Sequence, residues 1–236
     1  MTKLQSVCRI IAPLMPLNAL RTFLFRVGGV KVGKRVMISK GTKIMEGVTI
    51  EDSVSIRGNV LVGSGSIMRK GSVVEENCIL YCCEIGEGTI IHRGSTISGC
   101  DTYTLRIGKE CSVGSYTYLD GSGMLKIGDH VQIASSGTGI FSHSSVKNCL
   151  VGNKRNSQEY RQGQIIDQVQ IGDHVWIGGN VTIYPGVKID HHSIVLPNSA
   201  VNRIVESYTM VGGVPATPQK GIDISDKDIT FTAVDK

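Results

Sequence analysis

The stretch from Ile171 to Val201 reads IGDHVWIGGNVTIYPGVKIDHHSIVLPNSAV and carries an aliphatic residue at every sixth position: Ile171, Ile177, Ile183, Ile189, Val195 and Val201. A period of six matches neither the face of an α-helix nor the two-residue alternation of a long strand. It fits a solenoid whose repeating unit is a short strand and a turn, with the aliphatic side chain on the axis and Gly or a small polar residue at the bend. Working upstream, the same step recurs at Val32, Ile38, Ile44, Ile50, Ile56 and Val62. After a one-residue slip it continues at Ile67, Val73, Ile79, Ile85, Ile91 and Ile97, and shorter fragments follow at Ile107, Val113 and Leu119 and at Ile127 and Ile133. Three units close a triangular coil of about 18 residues, so about seven or eight coils are expected, stacked through parallel strands.

Composition agrees with that reading. Hydrophobic residues make up 41% of the 236, but aromatics supply only 5% and Trp occurs once, so the core is built from Ile, Val and small residues. That disfavours a helical bundle, and the apolar content excludes disorder. The 29 Gly show no three-residue repeat, which excludes collagen. The net charge of +5 comes from 25 basic against 20 acidic residues and is no signature of nucleic-acid binding. Seven Cys, an odd number without a CxxC pair, indicate neither a zinc ribbon nor a disulfide framework and read as idle thiols in a reducing cytoplasm.

Three segments are expected. Residues 1–29 form a helical cap, because Leu4, Val7, Cys8, Ile11, Leu20, Phe23, Leu24 and Val27 have helical spacing broken around Pro13 and Pro16. Arg9, Arg21 and Arg26 interrupt this stretch, which is too charged for a membrane span or a signal peptide. Those arginines leave open a peripheral contact with anionic lipid at the inner face of the membrane. Residues 30–206 form the β-helix, interrupted by an excursion over 139–168 where the period vanishes. A loop of that length leaving a rigid scaffold is expected to shape a site. Residues 207–236 form an extended tail.

The motif Ile171-Gly172-Asp173-His174-Val175-Trp176-Ile177-Gly178-Gly179-Asn180, continued by Tyr184-Pro185-Gly186-Val187-Lys188-Ile189, resembles the signature of the hexapeptide-repeat acyltransferases. Val211-Gly212-Gly213-Val214-Pro215-Ala216 is similar to the motif that closes the helix in the galactoside and maltose acetyltransferases. The opening Leu20–Gly33 resembles the O-acetyltransferases of surface-polysaccharide synthesis. The resemblance implies an all-β, left-handed parallel β-helix, a homotrimer with sites between subunits, acetyl-CoA as co-substrate and a sugar or glycan as acceptor. No metal is implied. The hand rests on the resemblance alone, since parallel crossovers are ordinarily right-handed.

His143, at the junction of scaffold and excursion, is the general base that the resemblance implies. An imidazole suits the task, because acyl transfer requires removal of the acceptor's proton near neutral pH. Asp120, about one coil earlier, and Ser142 are expected to contact the acceptor or support the base. Trp176, Gly178 and Gly179 are expected along the CoA arm, and Arg203, Gly213, Pro215 and Lys220 near its nucleotide end. The other five histidines are assigned no chemistry, and the adjacent His191 and His192 are expected to diverge. Rival readings are N-acetylation of an amino sugar or antibiotic, a carbonic anhydrase of the same architecture, and a scaffold without chemistry.

Overall fold

The structure is a computed structural model that describes residues 3–100, 105–135, 137–155, 157–225 and 228–233. Lys31 pairs with Thr49 and Thr49 with Ile67, so parallel neighbours are one coil apart. Repeated along the chain, this pairing builds three sheets that face outward as the sides of a prism. Face A has 8 strands from Lys31–Val32 to Lys188–Ile189, and face C has 8 from Lys43–Ile44 to Ala200–Val201. Face B starts at Met37–Ile38 and ends in Thr209–Gly212, to which a hairpin, Thr217–Ser225 and Asp228–Ala233, adds antiparallel strands. The C-terminal segment thus folds back on itself instead of running out as a single extended tail.

Most strands are two residues long, one side chain pointing to the axis and the other outward. The inward columns, such as Ile38, Ile56, Val74, Ile91 and Val113 on face B, are almost fully buried. Residues in the left-handed region turn several of the corners, with φ of 55–57° at His130, His174, Asn180, His192 and Asn198. That conformation disfavours residues with a Cβ, and here the parallel ladders on both sides of each corner hold it.

One element of the sequence reading shifts. The slip placed after Val62 does not exist. Met68, Val74 and Leu80 continue the buried column, while Ile79 is 39% exposed and Ile67 and Val73 are only half-buried. The period breaks later, between the strands Ile79–Tyr81 and Cys83–Ile85. Apolar residues occupy both positions of Ile67–Met68, Val73–Val74 and Ile79–Leu80, so the pattern is ambiguous by one residue, and a shift of one exchanges inside for outside.

Helices α1 (Lys3–Ile11) and α2 (Asn18–Val27) pack on each other and on the first coil, with Ala12 and Phe25 entering the core. The arginines between them are used internally. Arg9 donates to the Gly28 carbonyl, Arg21 to Met15 and Ile38, and Arg26 to Val32 and Gly33. Arg21 is buried and Arg9 half-buried in these contacts, whereas Arg26 stays exposed. The large apolar residues picked out by helical spacing also point away from the solenoid: Leu4, Val7, Ile11, Leu20 and Phe23 are exposed.

Candidate active site

Three departures from the coil stack on one edge of the prism, the corner between faces C and A. They follow Ile97, Leu119 and Ile140, which stack in register as the inward column of face C, and rejoin face A at Leu105, Leu125 and Val169. Residues 101–104 of the first lie outside the described residues. The breaks in period after Ile97 and after Leu119 and the long excursion thus share one edge. The layers touch closely: a Cβ on Gly121 would meet the Leu105 side chain at 2.9 Å, and one on Gly123 the Ser142 carbonyl oxygen at 2.2 Å.

The excursion itself starts later than its lost period suggests, because Gly139 and Ile140 still pair within face C. Beyond them the chain is folded, not loose. His143–Ser144 pairs antiparallel with Ile165–Ile166, and two short helices, α3 (Val146–Val151) and α4 (Gln158–Gln162), fill the interval. The buried Asn148 joins the helices, donating to the Tyr160 carbonyl at 2.8 Å and accepting from the Asn153 amide at 2.9 Å.

At the root of this structure the Asp120 carboxylate, 2% exposed, accepts from the Ser122 hydroxyl at 2.6 Å, the Ser142 backbone N–H at 3.1 Å and His143 Nδ1 at 2.6 Å. The Ser142 hydroxyl donates to the Asp120 carbonyl at 2.7 Å and accepts from Gly123 N–H at 2.8 Å, fixing the backbone beneath the carboxylate. Burial pushes the Asp120 carboxyl up, but its bonds from Ser122 and His143 and the His143 charge outweigh that and hold it below the usual value. An ionised carboxylate only accepts, so Nδ1 of His143 carries the proton. In the neutral ring, Nε2 is then left with its lone pair. The imidazole is thus held in one orientation, one-third exposed, at the edge of the scaffold.

An aromatic shelf adjoins it. Phe141 lies over Gly139, where a Cβ would meet its ring at 2.7 Å, and its ring centroid is 5.8 Å from that of the exposed Tyr118. Burial and the Asp120 charge push the Tyr118 phenol up.

The remaining predicted residues divide. Arg203 follows face-C residue Val201 and so stands on the same corner, two coils beyond the dyad. Trp176 points outward from face B, the side of the prism opposite that corner, in a row with Ile194, Met210 and Lys220. Gly178, Gly179, Gly213 and Pro215 lie at the corner between faces B and C. Gly178 is required by packing, since a Cβ there would meet Pro197 N at 2.5 Å, and the Lys220 ammonium sits over the Phe231 ring. Within one chain the structure brings together Asp120, Ser142 and His143, and it does not bring Trp176 to them.

The histidines hold a further surprise. His130, His174, His192 and Tyr208 stack ring on ring up one corner, with centroids 4.8–5.0 Å apart, and His191 closes edge-on, its Nδ1 3.0 Å from that of His192. The expected divergence of His191 and His192 fails, because the left-handed conformation of His192 carries its ring back onto the stack. Among the described residues, no three His, Cys, Asp or Glu side chains are grouped to hold a metal ion.

Comparison with known proteins places this architecture. Residues 168–203 match the family described as bacterial transferase hexapeptide (six repeats). Within that span the chain carries the six-residue repeat that the family describes. Its fold is that of the left-handed β-helix acyltransferases. It superposes on a UDP-N-acetylglucosamine acyltransferase from Campylobacter jejuni with a TM-score of 0.50 and 16% identity, covering 82% of this chain and 71% of the other. A maltose O-acetyltransferase from Clostridium difficile 630 shares 18% identity over 94% of this chain and 88% of its own, with a TM-score of 0.39. Among curated protein sequences there is no match.

Proposed function

We propose that this chain is an acetyl-CoA-dependent acetyltransferase of the hexapeptide-repeat kind that acetylates a hydroxyl of a sugar or surface-polysaccharide precursor. The observation that carries the reading is the Asp120–His143 pair at 2.6 Å, placed where the coil opens. Nε2 of His143 takes the hydroxyl proton as the acceptor oxygen attacks the thioester carbonyl. The tetrahedral oxyanion is stabilised by backbone N–H groups, and collapse expels the CoA thiolate, which recovers the proton from the imidazolium. Asp120 holds the ring and its tautomer and stabilises the cation that forms. No acyl-enzyme is needed. Burial pushes the thiols of Cys78 and Cys83 up to about 11 and about 12, far from nucleophilic thiolates.

The acceptor class is supported by the Tyr118–Phe141 shelf, since the C–H face of a pyranose packs on aromatic rings while its hydroxyls reach polar groups beside them. A homotrimer is supported by the position of Trp176. On the side opposite the dyad it serves acyl transfer only if a neighbouring subunit presents its face B to this corner. Exposed Val146, Leu150, Val151, Ile165 and Ile166 on the excursion give that neighbour an apolar surface. Arg203, on the dyad's corner, supplies positive charge for the CoA phosphates.

The test is a screen of the purified protein with acetyl-CoA against free sugars, nucleotide sugars and lipid-linked glycans, read by thiol release. With the acceptor found, His143→Ala is expected to lose about 10²–10⁴ in kcat with an unchanged thermal melt. Wild-type turnover by a folded His143→Ala would overturn the mechanism.

A further inference from the structure

We propose that the N-terminal end of the solenoid docks on an anionic lipid bilayer through an apolar face on α1 and α2 framed by lysines of the first coil. The two helices are amphipathic in the reverse of the usual sense. Their inward side carries Cys8, Ala12, Arg21, Thr22 and Phe25, whereas Leu4, Ile10, Leu14, Leu17, Leu20 and Phe23 face out, each 40–70% exposed. Leu20 and Phe23 lie three residues apart on one side of α2, and the exposed Leu17 immediately precedes its first turn. A group of large aliphatic and aromatic side chains on the outside marks a covered surface.

Charge identifies what covers it. The first 45 residues contain nine Lys and Arg and no Asp or Glu, while the remaining 16 basic and 20 acidic residues leave the rest of the chain at −4. The net +5 is therefore a strongly basic end on an acidic body. Three of the nine, Arg9, Arg21 and Arg26, bond to backbone carbonyls as described above. Lys31, Lys34, Arg35, Lys40 and Lys43 are exposed on the first coil, beneath the helices. The nearest acids are already engaged: Glu46 with Arg9, Glu51 with Arg69, and Asp52 with the Lys34 backbone N–H. Lys43 also rims a groove of about 710 Å³ shared by Ile10, Leu14 and Met45, so a cation stands beside the apolar side chains.

A second copy of this end would bring two highly basic surfaces together, which electrostatics opposes. An anionic bilayer offers hydrocarbon for these side chains and negative headgroups for the lysines at once. Among the described residues no helix is long and apolar enough to cross a membrane, so the contact is peripheral. Docking there would hold the solenoid end-on to a surface where lipid-linked glycans reside. The inference itself does not depend on the proposed activity.

The test is sedimentation of the full chain with vesicles of phosphatidylcholine alone and of phosphatidylcholine with about a third phosphatidylglycerol. Binding is expected only to the anionic vesicles and is expected to weaken with salt. Leu20→Asp with Phe23→Asp, and separately Lys40→Glu with Lys43→Glu, are each expected to weaken it at least about tenfold. All four side chains are exposed, so circular dichroism melts should match wild type. Failure of the wild type to bind anionic vesicles, or binding unchanged in both variants, would overturn the proposal. A change of oligomeric state in Leu20→Asp/Phe23→Asp without vesicle binding by the wild type would overturn it in favour of a self-contact.

Discussion

The coils from Ile171 to Val201 and the corner after Asp120 and Ile140 are made from the same ladder, yet they do opposite things. In the first, every sixth side chain is buried and the chain turns each corner without leaving the ladder. In the second, three successive coils let the chain out at the same edge, and polar groups that would be costly inside the prism are satisfied there by one another. The regular part supplies rigidity, and the irregular part spends it on holding one imidazole in one orientation.

Substitutions separate the two roles. The largest expected effect is at the corner: Asp120→Asn removes the acceptor that fixes the His143 tautomer. It should lower kcat by about 10²–10⁴ and alter the pH profile of kcat, which a purely structural change would leave in place. In the regular coils, Ile177→Ala opens a cavity in a fully buried column. It should cost about 2–5 kcal/mol in denaturant melts, while the folded fraction keeps its kcat. If Ile177→Ala abolished kcat in folded protein, the division of labour would fail. A smaller effect is expected from Phe141→Ala, which should raise KM for the acceptor about tenfold with kcat and acetyl-CoA KM little changed, given the worth of one aromatic contact.

The smallest concerns the histidine stack. Burial, then the neighbouring His174 and His191, push His192 below the usual imidazole value, with Asp173 opposing. The folded chain therefore binds this proton less readily than the unfolded chain. Its contribution to stability is complete above the ordinary value of about 6.5 and is lost as pH falls below it. Melting temperature should fall between about pH 7 and pH 5, and His192→Gln should flatten that slope.

The period made the three-sided solenoid legible, but not its phase between Val62 and Leu80, where Ile79 next to Leu80 and Val73 next to Val74 give two equally hydrophobic columns. His143 and Asp120 were singled out by the resemblance together with their place at the end of the period and one coil before it, and the structure puts the two side chains 2.6 Å apart. The stacking of three departures on one edge was not legible, since two of them look like ordinary turns until the coils are superposed. The histidine stack had a signal that went unused: His130 and His174 hold the same turn position of Ile-Gly-Asp-X-Val, and in a solenoid equal positions on successive coils lie one above the other.

The sequence by itself determined the scaffold, because a six-residue aliphatic step is a local pattern that each coil satisfies with its neighbours alone. Only the tertiary structure decided which way the helices at the open end face and which arginines are consumed as caps. It also decided that Trp176 stands across the prism from Asp120 and His143. Those facts depend on how separate segments meet across the stack, and no one-dimensional spacing records which side of the prism a residue occupies.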